Sequence, residues 1–282
     1  MLSSSSVLPI VCFFLVHWWG SVLMQTIFLH RYASHGMFRL SRPWERTFYL
    51  LTYLFQGSSY LVPRAYAYLH RAHHAYSDTE KDPHTPHRFS NALSMMLETK
   101  REYAALVQEK LQPEARFQTY VPTWPALDRV ADSTESRVAW VVLYTLFYVA
   151  FAPHWAFFLL LPVHFLMGPI HGAIVNWAGH KYGYRNFATR DQSRNVLPWD
   201  VVTLGELFQN NHHRHGQAPN FAQRAFEWDP AYGFIRLLGM LGIADLSAKG
   251  QLQNEENEAG EPVGGALAPG QIAVVAETSV AL

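Results

Sequence analysis

The 282 residues are 49% hydrophobic and 15% aromatic but only 16% charged, and 22 Lys and Arg balance 22 Asp and Glu to a formal net charge of zero. That balance lacks the basic surplus a nucleic-acid binder needs to neutralise phosphates, so no nucleic acid is expected among the partners. The single cysteine, Cys12, excludes an internal disulfide and any multi-thiolate metal site.

The cations fall in two blocks, Arg31 to Arg137 and Lys181 to Lys249, and residues 1–30 and 138–180 carry none. Within the first bare stretch, residues 7–29 form an uncharged run long enough for a bilayer crossing, which takes about 20 apolar residues. It lacks the basic start and small-residue cleavage site of a signal peptide. Residues 44–62 are apolar and aromatic but broken by Gln56-Gly57-Ser58-Ser59, and read as an interfacial or re-entrant helix. From Asn91 to Lys110 the periodicity is that of an amphipathic helix burying Leu93, Met96, Leu97 and Leu106. The second bare stretch predicts two short spans, 138–152 and 155–175, turning near Ala152-Pro153-His154. Positive charge stays on the cytoplasmic side, so both basic blocks should face the cytoplasm with this hairpin between them. Residues 250–282, rich in Glu, Ala, Gly and Pro and without aromatics, read as a disordered tail, which leaves 1–249 as one membrane domain. The expected fold is all-α: an integral, multi-pass membrane helical bundle with a cytoplasmic helical cap.

Fifteen histidines are the other departure from ordinary composition, and most of them cluster. The clusters are His30-Arg-Tyr-Ala-Ser-His35, His70-Arg-Ala-His73-His74, Asn176-Trp-Ala-Gly-His180 and Gln209-Asn-Asn-His212-His213, all at or beyond a membrane boundary. On a helix, positions i, i+3 and i+4 share a face, so His70, His73 and His74 can aim three imidazoles into one small volume. Asn176 and His180 have the i, i+4 relation, and His30 ends a span while His35 begins the loop beyond it. Imidazole suits iron, zinc, copper and nickel, and the lack of thiolates removes soft-ligand sites. Eight clustered histidines exceed the four ligands of a tetrahedral zinc, so two metal ions sharing them is the economical count. A thiolate-free two-metal site at the mouth of a helix bundle suggests oxygen activation by iron. The scattered His17, His84, His87, His154, His164, His171 and His215 read as packing or interface residues.

The boxes HRYASH, HRAHH, NWAGH and QNNHH, with the flanking words DTEKDPH, KYGYRNF and GELFQNNHH, resemble the integral-membrane acyl-CoA desaturases of the stearoyl-CoA delta-9 type, from about residue 7 to about residue 245. The resemblance implies an O2-dependent oxidoreductase holding two non-haem Fe ions as a di-iron centre. It would insert a cis double bond, at delta-9, into the saturated chain of a fatty acyl-CoA or acyl lipid. Two electrons would come from an external ferredoxin or b-type cytochrome with its reductase. It also implies metal-ligand roles for His30, His35, His70, His73, His74, His180, His212 and His213, with Asn176 binding through a water. One position departs from the pattern. The third box normally opens with histidine, and here Gln209 stands there, with a carboxamide that can ligate weakly or hold a water; His215 is the alternative imidazole. Glutamine also opens this box in front-end desaturases, which differ in their first box and carry a fused cytochrome domain absent from this sequence.

For an acyl tunnel, Thr26, Val22 and Trp18 share the His30 side of the first span. Val22 and Trp18 lie about 12 and 18 Å from it at 1.5 Å per residue. Glu206, Asp78 and Asp82 are candidates to orient ligand imidazoles through their second nitrogen. Two other readings keep the same boxes. One is a di-iron membrane hydroxylase of a lipid, alkane or carotenoid. The other is a non-catalytic metal-binding membrane protein, which predicts ligands inside the spans.

Overall fold

The computed structural model describes residues 6–247; residues 1–5 and 248–282, which include the tail expected at 250–282, lie outside the described residues. The long first helix, α1, runs without interruption over Leu8–Ser34. Proline in its first turn costs no hydrogen bond, because the N–H there has no helical partner. Its last ten residues, Gln25–Ser34, wind as a π-helix, so the helix continues past the expected end at residue 29. After the short strand β1 (Arg39–Leu40), α2 (Arg42–Gln56) turns back along α1. A 3-10 turn at Gly57–Ser59 ends α2, where the sequence predicts the break, and α3 follows over Pro63–Tyr76.

Helix α4 (Ala92–Val107) is capped by Asn91, whose side-chain oxygen accepts the Ser94 N–H at 2.9 Å. Its buried residues are Met95, Thr99 and Leu106, whereas Leu93 is 69% and Leu97 52% exposed. This reverses part of the expected face. The neighbours of α4 are α3 and the helix carrying Gly172, and the Thr99 hydroxyl reaches the Pro83 carbonyl, which sets the helix's rotation.

Next come α5 (Pro125–Ala131) and α6 (Thr134–Phe151), then α7 (Trp155–Phe165) and α8 (Met167–Lys181), which meet at a 72° bend. Pro169 explains the bend. It has no N–H to give to the Phe165 carbonyl four residues back, and that carbonyl is taken instead by the Ser58 hydroxyl at 3.1 Å. The Gly168 N–H is likewise taken by Ser59 Oγ at 3.0 Å. An irregular stretch leads to α9 (Gln209–Arg214) and α10 (Pro230–Met240), and β2 (Ala244–Asp245) closes an antiparallel ribbon with β1.

The fold is therefore mostly helical, with one small ribbon. Among the described residues, α1 alone is long and apolar enough to cross a membrane, or there are two such segments if the bent α7–α8 pair counts as one. The sequence predicts three. The difference arises because α6 opens on Thr134-Glu135-Ser136-Arg137 and because the segment expected at 155–175 is broken at Leu166.

Two apolar cores divide the chain. One gathers Phe28, Phe38, Tyr49, Phe208, Phe221 and Ile235 around the C-terminal half of α1, and a smaller one packs Ile10, Tyr144, Tyr148 and Leu161 around its start. Beside the smaller core, His17 and His164 face each other with their Nδ1 atoms 2.6 Å apart, and the Tyr148 hydroxyl pairs with His164 Nε2 at 2.8 Å. These two histidines are thus satisfied interhelical partners, in line with their packing assignment.

Candidate metal centre

The π-helical end of α1 explains the five-residue spacing of the first box. The His35 N–H donates to the His30 carbonyl at 3.2 Å, an i→i+5 bond, so the two residues stand one above the other on the widened helix. A second π-helical stretch, Ile174–Ala178 within α8, carries Asn176. Helix α3 then contributes three imidazoles, but in two directions. His70 and His74 join His30, His35 and His212 in one group, while His73 joins His180 and His213 in another, all donor atoms within each group lying within 4.8 Å of one another. The single small volume expected for His70, His73 and His74 is therefore two adjoining volumes. The neighbours His212 and His213 on α9 divide in the same way, and the His74 and His213 ring centres are 4.5 Å apart across the divide.

Carboxylates hold the rings from behind. Asp82 faces His73 Nδ1 at 2.9 Å, Asp78 faces His180 Nδ1 at 2.9 Å, Asp191 faces His213 Nδ1 at 2.7 Å, and Glu206 pairs with His30 Nδ1. Each contact fixes Nδ1 as the protonated nitrogen and leaves the Nε2 lone pair pointing into the cluster. Sequence reasoning names Glu206, Asp78 and Asp82 for this work and misses Asp191, which sits 22 residues from its histidine in an irregular stretch with no periodic signal.

The local chain is built to present these groups. Asp200 gathers the backbone N–H groups of Thr203, Gly205 and Leu207, forming the turn that carries Glu206. Gly205 has φ +97°, and a Cβ there would stand 2.4 Å from Asp229 Oδ1, so only glycine fits. Arg31, fully buried, pairs with Asp229 at 3.0 Å and lies 3.9 Å over the Phe221 ring. Arg71 ties the first box to the second by donating to the carbonyls of Ala33 and Ser34.

Electrostatics follow from burial. Burial is the largest influence on His35, His70, His74 and His212 and holds each well below its ordinary value, which favours the neutral form of the ring, the form that binds metal. Burial alone would raise Asp78, but hydrogen bonds from His180, the Gln192 N–H and Thr85 reverse this and hold it at about 2. In the same way His73 outweighs burial at Asp82, and His213 with Ser193 outweighs it at Asp191, keeping both carboxyls well below their usual range.

These groups fit a metal. The Nε2 atoms of His73, His180 and His213 are buried without a hydrogen-bond partner. Across the larger group, Nε2 to Nε2 distances are 2.9 Å for His30 and His212, 2.8 Å for His35 and His70, and 2.9 Å for His74 and His212. Metal–imidazole bonds of about 2.1 Å put cis ligands about 3.0 Å apart, so the rings already have the spacing of a coordination shell.

Gln209 is buried, and its amide nitrogen donates to the Glu206 carbonyl at 2.7 Å, which leaves Oε1 as the atom able to face a metal or water. His215 is exposed, packs on Phe187 with ring centres 4.9 Å apart, and belongs to neither group. Asn176 is half-buried, one helical turn before His180. Of the tunnel candidates, Thr26 donates its hydroxyl to Glu206, Val22 is fully buried, and Trp18 donates its indole N–H to the Val202 carbonyl at 2.9 Å. His87 pairs with the His180 carbonyl, and His154 caps the start of α7. Two residues assigned to packing stand out: His84 and His171 are buried with both ring nitrogens unpartnered, and His84 groups with His73 and Asp82.

A largely buried donor set made wholly of imidazole, carboxylate and carboxamide, paired off into two touching groups, suits oxidative metal chemistry on an apolar substrate more than thiol redox. That is the class of a histidine-box oxidoreductase. The chain belongs to the fatty acid desaturase family, which it matches over residues 4–229. It is 28% identical over 250 residues to the delta-9 desaturase-like 4 protein of Arabidopsis thaliana, covering 84% of this chain and 76% of that one. It is 28% identical over 225 residues to the sn-1 stearoyl-lipid 9-desaturase of Synechocystis sp., covering 78% and 65%. A third relative, the icosanoyl-CoA 5-desaturase of Limnanthes douglasii, is 27% identical over 242 residues, covering 83% and 63%.

Proposed function

We propose that this desaturase is a multi-pass membrane enzyme that introduces a cis double bond at the delta-9 position of a saturated acyl chain esterified in a membrane lipid. In this reading the catalytic domain is residues 1–249, the site faces the cytoplasm, and two iron ions are held, one by His30, His35, His70, His74 and His212, the other by His73, His180 and His213 with Gln209 and an Asn176-bound water. The observation that carries it is the pair of adjoining, buried histidine groups with ligand-like spacing. Bound iron would supply the dioxygen chemistry needed to break unactivated C–H bonds. The balance is one –CH2–CH2– unit, one O2, two electrons and two protons giving one –CH=CH– unit and two waters.

The protein's own contribution is orientation, charge and dryness. Asp78, Asp82, Asp191 and Glu206 keep each paired ring in one tautomer and supply negative charge close to where the cations would sit. Phe221 packs on the His212 and His30 rings, with centres 4.3 and 5.4 Å away, and gives the site an apolar wall beside its donors. Water kept out of such a site cannot intercept a reactive oxidant. In this reading the two electrons come from a separate carrier protein, in keeping with a sequence whose metal donors are imidazoles rather than thiolates.

A lipid carrier is preferred over acyl-CoA, toward which the box resemblance leans, because of the Synechocystis relative and because the site lies at the end of an apolar helix. The test is expression in cells without their own desaturase, followed by mass spectrometry that locates double bonds in intact lipids and in the acyl-CoA pool. Delta-9 unsaturation appearing first in glycerolipids is expected. Appearance first in acyl-CoA would reverse the carrier, and a hydroxylated product would reverse the reaction.

A further inference from the structure

Most of the large apolar side chains left exposed lie on helices that the membrane reading already covers; among those outside them, one group stands on irregular loops. Leu197, Trp199, Val201 and Val202 are 39%, 69%, 41% and 47% exposed, and Phe226 and Trp228 are each 55% exposed. They sit on two loops that belong to the metal-bearing part of the chain. The loops are joined: Trp199 and Trp228 form a parallel bridge, the Trp228 N–H donates to the Pro198 carbonyl at 2.9 Å, and the Trp199 indole donates to the Phe226 carbonyl at 3.0 Å.

The position of this patch is fixed by α1. The indoles of Trp18 and Trp19, twelve and eleven residues before His30, donate to the carbonyls of Val202 and Val201 at 2.9 and 3.1 Å. Eleven residues of helix are about 16 Å, so the loop lies beside the apolar part of α1, well short of its His30 end. Irregular backbone is normally excluded from lipid because its N–H and C=O groups go unpaired. Here that cost is largely removed. Buried Asp200 accepts three N–H groups, the two indoles take two carbonyls, and the Val196 N–H pairs with the Leu207 carbonyl at 3.0 Å. Between Arg194 and Glu206 the one charged side chain is Asp200, which faces inward.

We infer that the loops at 197–202 and 226–228 form an aromatic platform that inserts into the bilayer leaflet nearest the metal centre, so that the occupant of this surface is membrane lipid. Tryptophan is the side chain suited to that depth, apolar in body with one N–H to place. The same loop runs on to Glu206, which pairs with His30, so the platform is joined directly to the metal centre. The inference rests on the membrane reading but not on the desaturation reaction.

The experiment places one cysteine at a time in a Cys12→Ser background, labels it with a small fluorophore, and reconstitutes the full chain in phosphatidylcholine–phosphatidylglycerol vesicles. The test positions are Val202→Cys, a small change whose backbone contact is kept, and Trp228→Cys. Arg101→Cys, at a side chain 78% exposed on α4, serves as the aqueous reference, and Val16→Cys, at 61% exposure on α1, as the lipid reference. Expected is strong quenching at 202 and 228 by lipids spin-labelled on the acyl chain, protection from aqueous iodide, and the opposite pattern at 101. If 202 and 228 follow 101 while 16 is quenched by lipid, the platform is refuted and the span stands. If 16 also follows 101, the membrane reading itself is refuted and the platform with it.

Discussion

The carboxylates behind the rings make separable predictions, and Asp191 is the sharpest. Its Oδ2 faces His213 Nδ1 at 2.7 Å, while Oδ1 accepts from the Ser193 N–H at 3.1 Å and from the Thr189 hydroxyl at 2.7 Å. In Asp191→Asn the carbonyl oxygen can keep the Ser193 and Thr189 contacts, so the amide nitrogen must face His213. An amide nitrogen only donates, so His213 Nδ1 must accept, its proton moves to Nε2, and the lone pair that would meet the metal is lost. Losing such a support costs 10- to 100-fold in metal affinity, about 1.4 to 2.7 kcal/mol. The loss should fall on one ion, since His213 belongs to the three-histidine group and the five-histidine group has no contact with Asp191. Iron per chain should drop from two toward one under a chelator challenge that leaves the wild type loaded, and the retained ion should exchange at the wild-type rate. Retention of both irons, or loss of both at one common rate, would refute the assignment of His213 and the division into two groups.

Other outcomes follow from the same geometry. Glu206→Gln should deplete the complementary ion, because the carboxylate it alters sits on His30 Nδ1 and Thr26; selective chelation distinguishes it from Asp191→Asn. Gln209→Ala should lower turnover strongly while Gln209→His keeps both irons and His215→Ala is nearly silent; iron loss in His215→Ala with an active Gln209→Ala would exchange their roles. Gly179→Ala should behave like a mild Gln209 lesion, since its new Cβ would fall 2.5 Å from Gln209 Cγ; unchanged turnover would show that Gln209 need not hold its place. Purified enzyme with NADPH alone should be inactive until a reductase and a small electron carrier are added, and turnover without them would refute the need for an external donor.

How far the sequence could be read depended on whether the information was local. The four boxes and their imidazoles were visible because ligand type and helical spacing are local properties, and the Gln56-Gly57-Ser58-Ser59 break was visible because turn residues are. The π-helical winding was not, since no side-chain pattern distinguishes residues five apart on a widened turn from residues at a helix end. Nor was the parting of His73 from His70 and His74, because a helix face wide enough to span three positions can serve two centres when partners approach from both sides. The rotation of α4 is hidden for a related reason: Leu93 and Leu97 satisfy an amphipathic pattern, but the Thr99 contact with Pro83 decides which side is inward. At the span expected from 155 to 175, hydropathy recorded the apolar run and missed the consequence of Pro169, whose freed carbonyl finds a hydroxyl on a distant turn.

The splitting of covalent neighbours between the two histidine groups has a mechanical consequence. His73 and His74 are consecutive on α3, and His212 and His213 are consecutive on α9, yet each pair is shared across the divide. On these two helices the backbone fixes the spacing of the shared neighbours, so a change in the separation of the two groups has to come from side-chain rotation or from the other elements, α1 and α8, that carry His30, His35 and His180. Displacements of α3 or α9 therefore reach both groups together, whereas displacements of α1 or of α8 reach one group first.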